Sequence, residues 1–431
     1  MEIYVVQPGD NINSIANKYG ILVERLISDN GLVNPDALVP GQALVILYPK
    51  KTYTVKKGDT LATIADSNEI SILQLMRNNP FLNNRKYIYP GESLVISYNT
   101  SRDIQVNGYT HALLNQDILK WALLYLTYLS IYNYRIAENA VLISNSGDDE
   151  MIKLSKVYNT IPLLMISAFS SNGELNVEYT YGLLLDNERQ DKLINETLQI
   201  IKSKGYHGVN LLVGNISEYN QSLYLNAFTK ISKALRNEGY VFMITINSDY
   251  SKKTDDSSAY ENIDYTSISS LVDRIIFLQD IWGKKINPPS PISNISLIRP
   301  FIENVTSLVP PHNISMGKPL MGLDWALPFN PGSSDINILS LDSAITLAYE
   351  QRVTIQLDEE SQTPYYTYNK ANLRNPESHI VWFIDARSIR ALDEVIIDND
   401  LVGTGLWNIA SYNQQLFSTT NANFNIIKFS L

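Results

Sequence analysis

At 431 residues the chain is long enough for two or three domains and at least one sizeable core. A formal net charge of −10 argues against a nucleic-acid partner, whose affinity would rest on clustered Lys and Arg releasing counterions. No stretch approaches the ~18 continuous apolar residues of a membrane helix, so no membrane partner is expected either. The absence of cysteine excludes disulfides, thiolate metal sites and a cysteine nucleophile. His111, His207, His312 and His379 lack metal-ligand spacing, so neither metal nor cofactor is expected.

In chain order, Met1-Glu2-Ile3-Tyr4-Val5-Val6 starts a strand at once, with no basic or long apolar leader, which predicts a product made without a signal peptide. An internal repeat follows. Tyr4-Val5-Val6-Gln7-Pro8-Gly9-Asp10 recurs as Tyr53-Thr54-Val55-Lys56-Lys57-Gly58-Asp59, and Val39-Pro40-Gly41 through Ile46 recurs as Tyr89-Pro90-Gly91 through Ile96. Each unit reads strand, Gly-Asp turn, two short helices, Pro-Gly turn, strand. Ile12, Ile15, Ala16 and Tyr19, with their counterparts Leu61, Ile64 and Ala65, give each first helix one buried stripe. Asp10 and Asp59 precede these helices, where a carboxylate can cap free backbone N–H groups.

The doubled pattern, over 2–48 and 52–98, resembles LysM, a small βααβ module that binds N-acetylglucosamine-containing glycans. The resemblance implies a shallow groove for peptidoglycan or chitin-like glycan. By position it would use Gly9, Asp10, Asn11 and Asn30 in the first unit and Gly58, Asp59, Thr60 and Asn79 in the second.

From about Ser101 the spacing changes to short apolar strands alternating with helices, the pattern of a parallel α/β fold. Eight strands are predicted: Ile104–Tyr109, Tyr128–Ile136, Pro162–Phe169, Gly208–Gly214, Val241–Asn247, Arg274–Asp280, Ile314–Leu320 and Gly403–Ile409. Helices are predicted at Gln116–Leu124, Glu150–Val157, Glu188–Lys204, Leu223–Asn237, Ile295–Leu308 and Ser340–Tyr349. The expected fold over 101–431 is a (β/α)8 TIM barrel with a small antiparallel insertion at about 353–385. Strand alternation puts Asn210, Leu212 and Gly214 on one face, which in such a barrel points inward and ends at the rim where active sites are built.

The run Gly208-Val209-Asn210-Leu211-Leu212-Val213-Gly214 resembles the fourth-strand signature of glycoside hydrolase family 18, D/N-G-x-[D/N]-x-D-x-E. Further segments look like the family 18 domain of bacterial spore cortex-fragment hydrolases: Val106-Asn107-Gly108-Tyr109, Met316 to Trp325, Val381 to Ser388 and Gly405-Leu406-Trp407. The family uses substrate assistance, in which the sugar's own N-acetyl oxygen attacks the anomeric carbon, a Glu protonates the leaving oxygen, and an Asp and a sixth-strand Tyr orient the acetamide. On this sequence those three positions fall on Gly214, Leu212 and Asp280. The catalytic motif is degenerate, and no catalytic residue is expected.

Asp280, Glu218, Asp324 and Asp385 are the candidates for a displaced acid, each with a plainer reading as a cap, turn residue or hydrogen-bond partner. Aromatic rings need no acid to hold a sugar face. Trp407 matches the family's last-strand Trp, and Tyr109, Trp282, Trp325 and Trp382 lie in or beside rim segments, with barrel core or lid packing as the alternative. The resemblance implies a peptidoglycan- or GlcNAc-binding protein of a spore coat or cortex, made in the mother cell. An active glycosidase and a self-assembling surface-layer protein, partnered by coat proteins or by its own copies, are the competing readings.

Overall fold

A computed structural model describes residues 1–85, 87–137, 140–144, 147–167, 176–214, 216–248, 260, 262–279, 288–331, 336–370 and 377–430. The two N-terminal repeats fold alike. In the first, strands Glu2–Val5 and Ala43–Ile46 pair antiparallel and flank helices Ile12–Tyr19 and Val23–Asn30. In the second, strands Pro49–Thr54 and Ser93–Tyr98 flank helices Leu61–Ser67 and Ile72–Asn78 and a 3₁₀ turn, Pro80–Asn84. Their cores are matching sets, Val6, Ile15, Ala16, Leu26 and Leu44 in one and Val55, Ile64, Ala65, Leu75 and Leu94 in the other.

The helix caps sit one residue later than the sequence suggests. Asn11 and Thr60 are the N-caps, each in a reciprocal capping box with Ser14 or Thr63. Asp10 instead closes the preceding turn: its Oδ2 accepts from the Tyr4 hydroxyl at 2.6 Å and the Gln7 amide at 2.8 Å. Asp59 does the same with Tyr53 and the Lys56 amide. Those donors lie behind the carboxylate, so it turns away from the helix.

Over the expected barrel region, eight parallel strands close on themselves: Arg102–His111, Tyr128–Ala137, Ile161–Ser167, Gly208–Val213, Val241–Ser248, Arg274–Gln279, Ile314–Pro319 and Gly403–Trp407. The last pairs with the first (Gly403↔Gln105), and the first with the second (Asn107↔Tyr128), which completes the ring. The fourth strand lies between the third (Leu164↔Val209) and the fifth (Val241↔Gly208). Gly208 permits that last approach, since a Cβ there would lie 2.1 Å from the Val241 carbonyl oxygen. Amphipathic helices, including Asn187–Lys204 and Gln221–Asn237, bury Leu193 and Ile201 or Ala227 and Phe228 against the outside of the ring.

The antiparallel insertion is larger than its sequence signal. It is a five-stranded sheet that begins at Gly322–Leu327, continues through Ile336–Leu339, helix Leu341–Glu350, Gln356–Asp358 and Thr363–Lys370, and ends at Glu377–Trp382. The sequence ends the seventh strand at Leu320 and places the insertion at about 353–385, so Gly322–Leu327, separated from the barrel strand only by Leu320-Met321, goes unassigned.

Both small modules dock on the barrel. Gln415, on helix Gln414–Asn423, donates to Asn30 Oδ1 at 3.0 Å and to the Ala43 carbonyl at 2.7 Å. Arg77 and Asn78 of the second module bond Asn421 of the same helix. Arg25 ties module to module, donating to Asn79 Oδ1 and the Asn78 carbonyl. Gly41, with φ +85, turns the first module's Pro-Gly corner so close to the insertion that a Cβ would overlap the Ile355 carbonyl, while its counterpart Gly91 faces open space.

Two outcomes are expected. Asn30→Ala removes every partner Asn30 gives Val45, whose N–H and C=O are held at 2.7 and 2.9 Å. Urea unfolding should show a loss of about 1–3 kcal/mol for each buried group stranded, against about 1 kcal/mol for the exposed cap variant Asn11→Ala. The Tyr4 hydroxyl, and then the Gln7 amide, hold the Asp10 carboxyl below its ordinary value. Its stabilising contribution is therefore full above that value and lost as pH falls through the depressed one. Melting temperatures of wild type and Asp10→Asn should accordingly converge in acid.

Candidate functional site

Around Asn210 the inward side chains of the barrel form a neutral hydrogen-bond network, while Arg274, on the sixth strand, donates to Gln105 of the first at 2.9 Å. Asn210, fully buried on the fourth strand, donates from Nδ2 to Ser130 Oγ at 2.9 Å and accepts at Oδ1 from Thr245 Oγ1 at 2.9 Å. Ser130 donates to Asn107 Oδ1 at 2.9 Å, and the Tyr109 hydroxyl pairs with Thr245 Oγ1 at 2.7 Å. Burial pushes the Tyr109 hydroxyl well above its ordinary pKa, so it stays protonated. No member of this network carries a charge at neutral pH. Only Asn210 and Tyr109 had been singled out from the sequence. The signal for the others is one polar residue at the inward phase of each otherwise apolar strand.

The two positions after Asn210 on its face carry no acid. Leu212 is buried. Gly214 offers only its backbone, and its carbonyl accepts from the Tyr224 hydroxyl at 2.9 Å. A cavity of about 70 Å³ borders this stretch, lined by apolar side chains such as Ile166, Leu183 and Phe228 together with Tyr224. Asp280 and Trp282 lie outside the described residues.

The other candidate acids are engaged or remote. Asp385 caps helix Ala386–Asp398 through the Arg387 amide and pairs with the Arg387 guanidinium at 2.6 Å, so it is a buried structural pair and not a cleft residue. Asp324 lies in the inserted sheet, buried, with Oδ2 accepting from Tyr368 at 3.0 Å and Oδ1 2.9 Å from His379 Nδ1. Glu218 is exposed on the segment after the fourth strand.

The aromatic candidates separate into two groups. Trp407 ends the eighth strand and packs on Tyr109 and Tyr132, with ring centroids 5.2 and 6.4 Å apart. Tyr109 is wholly buried and supports Trp407, so it presents no face to solvent. Trp325 and Trp382 belong to the inserted sheet, Trp325 fully buried and Trp382 stacked on Tyr365 at 4.6 Å. The sheet leaves the barrel beside Trp407, where the Leu320 amide donates to the Trp407 carbonyl. The indole Nε1 atoms of Trp325 and Trp382 and the Nδ2 atoms of Asn107 and Asn133 have no hydrogen-bond partner among the described residues.

In the small modules, Gly9, Asn11, Gly58 and Thr60 are exposed on the turns, with Asp10 and Asp59 half-buried beside them. Asn30 and Asn79 are different. Both are buried, and each spends its amide on three backbone groups, so neither faces a groove.

Comparison with known proteins bears on the whole chain. Residues 4–47 and 53–97 match the LysM domain, and residues 86–411 match glycosyl hydrolases family 18. The putative sporulation-specific glycosylase YdhD of Bacillus subtilis is 28% identical over 95% of each chain, and the cortical fragment-lytic enzyme of Bacillus anthracis is 27% identical over 99% of each. The crystal structure of the Bacillus megaterium spore cortex-lytic enzyme SleL superposes with a TM-score of 0.79 at 26% identity, covering 99% of both chains.

The buried network sets an expectation. Asn210→Ala removes one bond each from Ser130 and Thr245, which keep Asn107 and Tyr109, and should cost about 1 kcal/mol for each bond in equilibrium unfolding. Tyr109→Phe leaves Thr245 its bond to Asn210 and should cost about 1 kcal/mol.

Proposed function

The chain belongs to glycosyl hydrolases family 18 and carries two LysM domains, and from that premise we propose that it is a non-hydrolysing, glycan-binding protein of the spore coat or cortex with a structural or targeting role. The LysM and family 18 domains indicate peptidoglycan or GlcNAc-type glycan as the partner. In this reading the exposed turns around Gly9-Asp10-Asn11 and Gly58-Asp59-Thr60 grip the polymer, and Trp407, at the end of the eighth strand, is the ring left to hold a sugar at the barrel, Trp325 and Trp382 being spent on packing within the inserted sheet. Synthesis in the mother cell belongs to the same proposal, and the sporulation and cortex names of the Bacillus relatives support a spore setting.

One observation carries the loss of hydrolysis: Leu212 and Gly214 stand where the family motif has its carboxylates, beside neutral hydrogen bonds among Asn210, Ser130, Thr245 and Asn107. A positioned general acid contributes ~10²–10⁴ in rate. Groups that orient the acetamide also stabilise the charge that develops in the transition state. A glycine cannot donate a proton, and Leu212 cannot replace it. The relatives' names as lytic enzymes favour a second reading, an active glycosidase with a displaced acid, and Asp280, one of the acids singled out in the sequence, is its candidate.

A gain-of-function series separates the two. Incubated with spore cortex fragments, the unmodified chain should release no new reducing ends, and Leu212→Asp, Gly214→Glu and Asp280→Tyr together should release them measurably. Turnover by the unmodified chain that Asp280→Asn abolishes would establish the displaced acid instead.

A further inference from the structure

The two N-terminal modules build the same Pro-Gly corner in two different settings. In the first, the Gly41 amide donates to the Val6 carbonyl at 2.8 Å and the Gln42 amide to the Val39 carbonyl at 2.9 Å, while the Gln42 side chain accepts from the Val39 amide at 3.1 Å. In the second, Gly91 donates to Val55 at 2.8 Å and Glu92 to Tyr89 at 3.1 Å, and Glu92 Oε2 accepts from the Tyr89 amide at 2.9 Å. Gly41 and Gly91 share the left-handed backbone, with φ +85 and +93. Bond for bond, the corners are equivalent.

What lies over them differs. The first corner is covered by the inserted domain and by helix Ala386–Asp398: the Ile355 amide donates to the Pro40 carbonyl at 2.9 Å, and Arg387 Nη2 donates to the Gly41 carbonyl at 3.1 Å. Ala37 and Val39 are buried at that junction. In the second corner Pro90 and Gly91 are exposed, and their carbonyls have no donor among the described residues. Where the first module has Ala37 and Val39, the second has Tyr87 and Tyr89, and these are 70% and 55% exposed. Arg85 lies over the Tyr89 ring at 5.6 Å and pairs with Glu92 at 2.8 Å, so the exposed ring is braced on one side.

We infer that the corner from Tyr87 to Glu92 docks an extended segment of another protein, one that brings a backbone N–H to the Pro90 carbonyl and a basic side chain to the Gly91 carbonyl. The occupant is read from the twin corner, where polypeptide supplies both donors. Backbone pairing of this kind gives affinity, and side chains beside it give selectivity. At Gly41 a Cβ would overlap the Ile355 carbonyl, so the bare glycine face admits a backbone at close range, and the Gly91 face is equally bare and open. Two exposed tyrosines supply what the first corner lacks, rigid amphipathic rings of the kind that anchor protein interfaces. The role of Arg387 and the chain's net charge of −10 both select a cationic side chain in the partner. The inference goes beyond glycan binding and holds whether or not the barrel cuts its substrate.

The test uses the full chain and a fluorescein-labelled peptide of its own segment 351–359, which contains Arg352 and the Ile355 that covers the first corner. That corner is already filled from within the chain, so fluorescence anisotropy reports binding at the second. Saturable binding at one site per chain is expected, above a scrambled peptide as background. Tyr87→Ser with Tyr89→Ser should weaken it roughly tenfold or more. Both side chains are exposed and the Tyr89 amide keeps its bond to Glu92, so the melting temperature should hold. Wild-type binding no better than the scrambled peptide, or undiminished binding by the double variant, would overturn the inference. If the double variant instead loses pelleting with insoluble peptidoglycan while it still binds the peptide, the corner is a glycan surface and protein docking there is refuted.

Discussion

Around Asn210 the interior of the barrel is held by hydrogen bonds among uncharged groups, and the positions that follow Asn210 on its face share that neutral setting. Asn210 bridges Ser130 and Thr245, and through them Asn107 and Tyr109 join strands one, two, four and five. An ionised carboxylate on that face would need donors able to offset its desolvation, and the Asn210, Ser130 and Thr245 donors are each turned to a neighbour within the network, with Asn107 Nδ2 left unpaired among the described residues. Leu212 and Gly214 fit the same environment. A charged group that the ring does bury, the Arg274 guanidinium on the sixth strand, donates to Gln105 of the first strand and not to the Asn210 network.

The same economy of polar groups governs how the domains are joined. Asn30 and Asn79 occupy equivalent places in the two repeats, each stitching its second helix to its last strand, and each also reaches across a domain boundary, to Gln415 or to Arg25. Residues that build the modules therefore also fix their arrangement on helix Gln414–Asn423. Arg77 illustrates the cost of such a junction. It is buried against Asn421 and the Leu124 carbonyl, neutral acceptors, and burial pushes its guanidinium down to about 10. A junction built this way presents the modules to a polymer in one orientation relative to the barrel.

Much of this was legible in the chain. The repeat, its helix stripes and the eight strands follow from period and spacing, because a buried parallel strand and an amphipathic helix leave strong patterns. Individual roles were less legible. Asp10 and Asn11 are adjacent polar residues before a helix, and only the positions of Tyr4 and Gln7 decide that the first closes the turn and the second caps. Asn30 looks like a loop residue beside Gly31, and nothing local reveals that its amide is spent on Val45. The inserted sheet was underestimated because its first strand follows the seventh barrel strand almost without a break. A cleft of about 330 Å³ between the two modules and the barrel leaves no local pattern, since its walls come from residues nearly 400 positions apart, from Ser28 to Tyr412.

The central claim is that this protein holds cell-wall glycan without cutting it. A single time course tests it most directly: purified full-length chain is mixed with spore cortex peptidoglycan, and each sample is centrifuged and assayed for protein in the pellet and for soluble glycan fragments above it. The account predicts protein that stays with the pellet while the supernatant remains at the level of a protein-free control. Steady release of fragments as the bound protein declines would contradict it.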